Sequence, residues 1–286
     1  MRFKIRHKVK YSYSSQIFPE PHVIRLKPRS DVSQRLLSYS LNITPDAAGR
    51  TDNVDLDGGS STLFWFTDKT DEVVFESVAQ VETFRNNPFD FILPDSRYSV
   101  IPLAYPEEER WELAPFLAPN FDGPAVRAMV LEGRRATGDD PLAFLIWLSG
   151  KIRASVAHIH RDEPGLMAPE ETLARGEGSC RDMVAVFVAA TRSVGAAARF
   201  VSGYQADDEG TDPRELHSWA EIYLHGAGWR GYDPAAGIAC GEQHVALVSS
   251  SVIDLTAPVT GTYRGEAQCL MTYSVEIETG AAAGEA

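Results

Sequence analysis

The spacing of apolar residues changes twice along this chain, and this change limits the folds that it can adopt. From residue 2 to about 105, apolar and polar side chains alternate, as in Phe3-Lys4-Ile5, which is typical of strands with one buried face. Helical spacing follows between 125 and 194, and strand-like segments return from 198 to 279. Strands and helices that are grouped apart predict an α+β fold. We expect an N-terminal β-sandwich-like domain, followed by a core in which a helix packs on an antiparallel sheet.

Proline and acidic residues cluster between these zones, around Pro102 to Pro119, and predict a linker or wrapping segment. We expect an N-terminal β-rich domain at 1–105, a linker at 106–120, a second domain at 121–280 and a tail at 281–286. The second domain is predicted to contain helices 125–135, 141–156 and 180–194, followed by strands 198–206, 216–224, 228–233, 244–250 and 268–279. Trp111 and Trp147 are expected in the core.

Cys180 lies in an unusual local sequence, Gly176-Glu177-Gly178-Ser179-Cys180-Arg181-Asp182. Ser179 followed three residues later by Asp182 has the form of a capping box, which predicts that a helix begins here. In the first turn of that helix, free backbone N–H groups and the helix dipole would favour a thiolate and could bind an oxyanion. The simpler interpretation is that Cys180 is a small buried apolar residue.

His217 and Asp233 follow in two segments with strand patterns, 216–224 and 229–233, and Pro234 ends the second. Each residue alone has an ordinary structural interpretation, as a strand histidine or as a turn aspartate. A hairpin of the two strands, however, would bring them to one edge, as a base and its orienting carboxylate require. The order of Cys180, His217 and Asp233 therefore indicates nucleophilic acyl-transfer chemistry.

These motifs resemble the transglutaminase-like superfamily, in the bacterial form that is often described as a cysteine protease. The resemblance is carried by Gly178-Ser179-Cys180-Arg181-Asp182, Arg199-Phe200-Val201-Ser202-Gly203-Tyr204, His217-Ser218-Trp219-Ala220-Glu221, Gly228-Trp229 and Asp233-Pro234. It implies a papain/transglutaminase-like catalytic domain at 121–280, with Cys180 as nucleophile, His217 as general base and acid, and Asp233 orienting the imidazole. It further implies supporting or substrate-binding roles for Gly178, Ser179, Asp182, Tyr204 and Trp219. Family members use another oxyanion donor upstream of the cysteine, and His158-Ile159-His160 stands where an aromatic residue is more usual.

The activity implied is attack on the carbonyl of a peptide or protein amide, through a thioester acyl-enzyme. Hydrolysis is favoured, because no segment suggests the calcium loops of regulated crosslinking enzymes. The alternatives are transamidation between glutamine and lysine side chains, an acyltransferase that uses a small activated donor, and a binding protein that retains the fold without catalysis.

A metal-dependent hydrolase is a rival hypothesis, because His158-x-His160-x-Asp162 has ligand-like spacing and Cys240 with His244 could add donors. The segment enters a Pro164-Gly165 loop, and no other cluster has recognisable ligand spacing. We therefore expect it to form a loop or cleft wall, with no metal or other cofactor.

The net charge of −13 excludes nucleic acid as a favoured partner, since phosphate binding needs a basic surface. Residues 1–40 nevertheless carry nine Lys or Arg against two acids, which suggests a basic strand pair beside an acidic domain or, less simply, a docking surface. An odd number of cysteines, no signal-like N-terminus and no long apolar run predict a cytoplasmic protein with neither disulfides nor a membrane span. The oligomeric state is left open.

Overall fold

A computed structural model describes residues 1–119, 123–161, 163, 165–206 and 216–280. Residue 120 of the expected linker, Asp162 of the metal hypothesis and the predicted tail 281–286 lie outside the described residues. The helices are α1 (Glu107–Glu112), α2 (Ala114–Leu117), α3 (Pro124–Thr137), α4 (Pro141–Ser155), α5 (Pro169–Arg175) and α6 (Cys180–Ser193). Short 3-10 helices lie at Ser96–Tyr98 and Ile253–Thr256.

The strands are β1 (Arg2–Pro19), β2 (His22–Ile24), β3 (Gln34–Thr44), β4 (Gly49–Val54), β5 (Ser60–Trp65), β6 (Thr70–Thr83), β7 (Ala157–His158), β8 (Glu177–Gly178), β9 (Ala198–Gln205), β10 (His217–Leu224), β11 (Gly228–Asp233), β12 (Ile238–Ala239), β13 (His244–Ser250), β14 (Val259–Thr260), β15 (Tyr263–Arg264) and β16 (Cys269–Gly280). The expected α+β architecture is confirmed. The short elements β4, β7, β8, β12 and α5 were not predicted, because segments of this length carry little periodic pattern.

Two sheets form the N-terminal part of the molecule. One has the order β15-β1-β6-β3, with β16 also pairing with β1, and the other has the order β14-β2-β5-β4. Along β1, buried Phe3, Ile5 and Val9 alternate with charged side chains. The charged face explains the basic N-terminal segment: Lys4 bonds Glu278 of β16 at 2.9 Å, and Arg2 bonds Glu82 of β6 at 3.1 Å. The basic residues of β1 thus face acids in their own sheet.

The last long strand lies in a different sheet from the one that its sequence position suggested. We predicted strand 268–279 within the second domain, but β16 pairs antiparallel with β1, from Arg2 opposite Gly280 to Tyr13 opposite Cys269. This pairing lets β16 cover the free edge of β1, and it buries Val275 and Ile277 in the N-terminal core. That sheet assignment was therefore wrong, because alternation identifies a strand without identifying its partner.

A five-stranded antiparallel sheet, β12-β11-β10-β9-β13, forms the centre of the second part. Its one face packs against α6, whose buried Phe187 stacks on Tyr232 at 5.9 Å between ring centroids. Its other face contributes Tyr204, Val245 and Leu247 to the N-terminal core. The central sheet is therefore covered by a helix on one side and by the N-terminal sheets on the other.

A buried ion cluster also joins the two parts. Glu221 of β10 accepts hydrogen bonds from Arg29, at 2.6 Å, and from Arg199 of β9, at 2.8 Å. Burial raises the pKa of the Glu221 carboxyl, but the charges and hydrogen bonds of the two arginines outweigh this and hold it well below its usual range. Glu221 therefore stays ionised in the folded protein.

The segment expected as a linker wraps against the second part. Leu113, between α1 and α2, is buried with Tyr105 and Ala197. Trp147 packs partly buried against the helical core, as expected. The prediction for Trp111 was wrong, because this side chain is 75% exposed on α1, a six-residue helix in which no residue is buried.

Candidate active site

Cys180 occupies the first helical position of α6, and Asp182 fixes this end of the helix. The buried Asp182 carboxylate accepts hydrogen bonds from the backbone N–H and the hydroxyl of Ser179, at 2.9 and 2.6 Å. It also accepts from the backbone N–H of Met167, at 2.8 Å, and from the Arg161 guanidinium, at 2.7 Å. Asp182 therefore links the start of the helix to the preceding loop rather than pointing into a cleft.

Gly178 precedes the nucleophile position in β8, which pairs in parallel with β7. A Cβ added at Gly178 would lie 3.1 Å from both the Asp182 side chain and the Thr172 side chain. The absence of a side chain at residue 178 thus lets the backbone approach the helix closely.

His217 and Asp233 meet beside the end of the β10–β11 hairpin. The Nε2 atom of His217 lies 2.6 Å from Oδ2 of Asp233, and the Asp233 side chain is fully buried. This contact occupies Nε2, so Nδ1 is the imidazole nitrogen that remains for the sulfur of Cys180.

Asp233 accepts two further kinds of hydrogen bond. Its Oδ1 atom accepts from the backbone N–H groups of Ala235 and Ala236, at 2.9 and 3.0 Å. Its Oδ2 atom also lies 3.2 Å from Nε2 of His244, a histidine with a side chain that is 3% exposed. Burial raises the pKa of Asp233, but the charges and hydrogen bonds of the two histidines prevail and depress it far below its usual value. With four donors on its two oxygens, Asp233 is an ionised group with a fixed orientation.

The pKa values of the other two groups indicate an ion pair. Burial alone would raise the pKa of the Cys180 thiol, but hydrogen bonds with His158 and His217, together with their charges, lower it from 9.0 to about 6. Burial would lower the pKa of His217, but the charge and hydrogen bond of Asp233, followed by those of Cys180, raise it to about 10. Between these values, the pair is a thiolate and an imidazolium.

His158 is brought to the site by the pairing of β7 with β8, where it lies opposite Gly178. Its side chain is exposed and hydrogen-bonds to Cys180, and it shares one cavity wall with His160. Cys240 is buried against Val201 and Trp219. In the described ranges, which omit Asp162, no group of three or more His, Cys, Asp or Glu is arranged to hold a metal ion.

Trp219 and Tyr204 occupy different surroundings. Trp219 is 2% exposed, stacks on His217 at 6.3 Å between ring centroids and meets the edge of His244 at 5.2 Å. Tyr204 is buried, and its hydroxyl hydrogen-bonds to Nδ1 of His7 at 2.9 Å. Trp219 therefore supports the imidazole directly, whereas Tyr204 lies at the junction with β1.

His244 is the site residue that the sequence did not identify in this role. It appeared there only as a possible metal ligand, 11 residues after Asp233. Its approach to Asp233 depends on β13 pairing with β9, the neighbour of β10, so the arrangement follows from sheet order rather than from a local motif.

A cavity of about 430 Å³ opens in front of Cys180. Its lining includes Cys180, Ser179 and His158, together with residues of β1 and β16. Its volume is within the range of small-molecule and peptide side-chain sites. None of the described helices has the length and apolar character that crossing a membrane requires.

Comparisons with known proteins agree with these features. Residues 3–82 match the model of the bacterial transglutaminase-like N-terminal region, and residues 127–234 match that of the transglutaminase-like superfamily. A crystal structure from Cytophaga hutchinsonii, titled a "putative cysteine protease", aligns with a TM-score of 0.74 over 100% of this chain and 92% of its own, at 18% identity. That likeness shows a shared fold.

Curated relatives span nearly the same length. An uncharacterized protein of Mycobacterium leprae is 23% identical over 96% of this chain and 98% of its own length. One of Mycobacterium tuberculosis is 22% identical over 86% of this chain and 82% of its own. The two family models together match well over half of the chain, and the N-terminal region precedes the superfamily core. The chain belongs to the transglutaminase-like superfamily, in the form that carries the bacterial N-terminal region.

Proposed function

We propose that this protein is a cysteine-dependent enzyme that transfers the acyl group of an amide through a thioester on Cys180, with hydrolysis as the outcome. The observation that carries this proposal is the connection of three groups: Cys180 contacts His217, and His217 contacts the buried Asp233 at 2.6 Å. The lowered pKa of the Cys180 thiol and the raised pKa of the His217 imidazole agree with the roles of a nucleophile and its base.

The first half-reaction begins with attack of the Cys180 thiolate on the amide carbonyl carbon, which forms a C–S bond and moves an electron pair onto oxygen. The backbone N–H groups of Asp182 and Met183 bond the carbonyl of Ser179, so those of Cys180 and Arg181 lie at the open end of the helix for this oxyanion. His158 is our candidate for the additional donor, because its side chain reaches the same sulfur.

Collapse of the tetrahedral intermediate breaks the C–N bond, and His217 donates its Nδ1 proton to the departing amine. Neutral His217 then takes a proton from water as the water attacks the thioester. The second tetrahedral intermediate collapses with cleavage of the C–S bond, whose electron pair returns to sulfur, so that the acid product leaves and the thiolate–imidazolium pair is restored. Asp233 keeps the imidazole oriented and stabilises its positive charge throughout.

Hydrolysis is favoured over transamidation because Cys180 is only partly buried and lines a cavity that water can enter. A primary amine that occupies the cleft would instead give a new amide, which is the alternative outcome. A peptide or a protein amide is the expected substrate class.

The test is a peptide and amide library, assayed with and without a primary amine such as a lysine derivative. We expect release of amine and free acid from at least one class, unchanged when the amine is added and abolished by Cys180→Ala. Incorporation of the added amine in place of water would identify a transamidase. Turnover that persists in Cys180→Ala would reject the mechanism, and an inert Cys180 thiol would favour a binding protein.

We further propose that the reaction takes place in the cytoplasm. Cys180, Cys240 and Cys269 are all free thiols, which is typical of a reducing compartment. Fractionation of the producing cell, with detection by antibody, tests this: recovery in the periplasmic or culture fraction would contradict it.

A further inference from the structure

We infer that β1 and β16 of the N-terminal region form a subsite for a large apolar side chain of the acyl donor. The inference rests on the proposed function, because it assumes that Cys180 attacks a donor bound in the cavity. It assigns to the N-terminal region a part in substrate recognition.

The register of the two strands creates one continuous face. His7 lies opposite Val275, Val9 opposite Tyr273, and Tyr11 opposite Met271. Directly opposed residues of antiparallel strands point to the same side of a sheet, and every second residue repeats this direction. His7, Val9, Tyr11, Met271 and Tyr273 all line the cavity that contains Cys180. The intervening residues, such as Leu270, point to the opposite face.

Burial along this face changes from one end to the other. Val9 and Val275 are 4% and 9% exposed and belong to the packed core. Met271 is 50% exposed although its side chain is large and apolar, and Tyr273 is 38% exposed. An apolar side chain that is half exposed in a cavity beside a reactive thiol indicates a surface that a ligand covers.

Other apolar side chains also line the cavity, among them Leu166, Leu216, Pro258 and Val259. His7, the polar residue of the face, is buried, and burial lowers its pKa to about 4, so it is neutral at physiological pH. Its Nδ1 atom is engaged by the Tyr204 hydroxyl at 2.9 Å. An apolar side chain fits this wall, because a charged one would have no opposite charge on it.

Two charged side chains that line the cavity, Arg161 and Arg181, are held by contacts within the protein. Arg161 is paired with Asp182 at 2.7 Å, and the Arg181 guanidinium donates to the backbone carbonyls of Arg161 and Glu163. Both guanidiniums are therefore engaged by the protein, and the β1–β16 face provides an apolar surface for the donor side chain.

The test compares Met271→Asp with Leu270→Asp, a matched control on the opposite face of the same strand. Two peptide substrates are assayed, one with leucine or phenylalanine beside the scissile amide and one with alanine. We expect Met271→Asp to lower kcat/KM for the apolar peptide by about 10-fold or more, with little effect on the alanine peptide. Leu270→Asp should leave both values unchanged. Met271→Ala is the milder variant, and circular dichroism confirms its folding. It should lower the ratio of kcat/KM for the apolar peptide to kcat/KM for the alanine peptide.

An equal loss for both peptides, or no loss in either Met271 variant, would overturn the subsite. If the proposed function is wrong, the result is different, because the unmodified protein then cleaves neither peptide. In that case, calorimetry can measure how tightly the uncleaved apolar peptide binds to the Cys180→Ala protein. This affinity still tests the subsite. Binding that Met271→Asp weakens and Leu270→Asp does not would support it, and binding that neither variant changes would contradict it.

Discussion

The pKa of Cys180 makes a prediction that alkylation can test residue by residue. With a pKa of about 6 instead of 9.0, the thiol would be about 90% ionised at pH 7 rather than about 1%. A thiolate of low pKa is intrinsically less nucleophilic, however, and a Brønsted coefficient of about 0.4–0.5 over three units reduces its rate by about 15- to 30-fold. The net advantage at pH 7 is therefore only about 3- to 6-fold.

The rate advantage of Cys180 over a thiol with a pKa of 9.0 is much larger in acid. At pH 5.5, the ionised fractions are about 0.24 and 0.0003, and the same correction leaves an advantage of about 25- to 50-fold. A pH profile is thus a sharper measurement than a rate at one pH. The rate at Cys180 should rise tenfold per pH unit up to about 6 and then level off.

The assay is alkylation by iodoacetamide between pH 4.5 and 9.5, with the adducts mapped by mass spectrometry. Cys269 is an exposed internal control, since burial raises its pKa above 9.0 despite a hydrogen bond from Tyr13. Its rate should keep rising over the whole range. His217→Ala should move the midpoint at Cys180 upward. A midpoint near 8.5 or above in the unmodified protein, parallel to Cys269, would refute the proposed activation.

Three further substitutions test separate parts of the structure. His244→Leu removes a donor from the triad carboxylate and should lower kcat/KM by about 10-fold while the protein stays folded by circular dichroism, with partial rescue by His244→Asn; equal activity would argue against a positioning role. Glu221→Gln leaves two buried arginines without their partner and should lower the free energy of unfolding by about 3–5 kcal/mol in urea, whereas the exposed Glu276→Gln should change little. Because the folded-state pKa of Glu221 is depressed, its contribution to the free energy of unfolding is fully present above its unfolded pKa. This contribution is lost as pH falls toward the folded-state pKa, so the unmodified protein and Glu221→Gln should approach each other in stability in acid. His158→Ala should raise the alkylation midpoint of Cys180 and lower kcat by about 100-fold, and an unchanged midpoint would remove this histidine from the site.

The sequence predicted the elements around the cysteine because their determinants are local. A serine and an aspartate three residues apart mark the start of α6, and alternation with Pro234 marks the ends of β10 and β11. The hairpin is a connection between neighbours in sequence, so the meeting of His217 with Asp233 could be expected.

Contacts between distant strands could not be predicted in the same way. His244 reaches Asp233 only because β13 lies beside β9, and β16 joins β1 across more than 250 residues of chain. Trp111, which was expected in the core from its residue type, is instead exposed on a six-residue helix. The cavity wall formed by β1 and β16 likewise depends on pairing that no local pattern records.

The most direct test of the central claim is to trap the acyl-enzyme. The protein is mixed with an excess of a cleaved peptide amide, quenched in acid within milliseconds to seconds and analysed by intact and peptide-level mass spectrometry. We expect an adduct with the mass of the acyl group on Cys180, removable by hydroxylamine and absent from Cys180→Ala. Turnover of the same peptide with no adduct at Cys180 in rapid-quench samples, or an adduct on another residue, would contradict it.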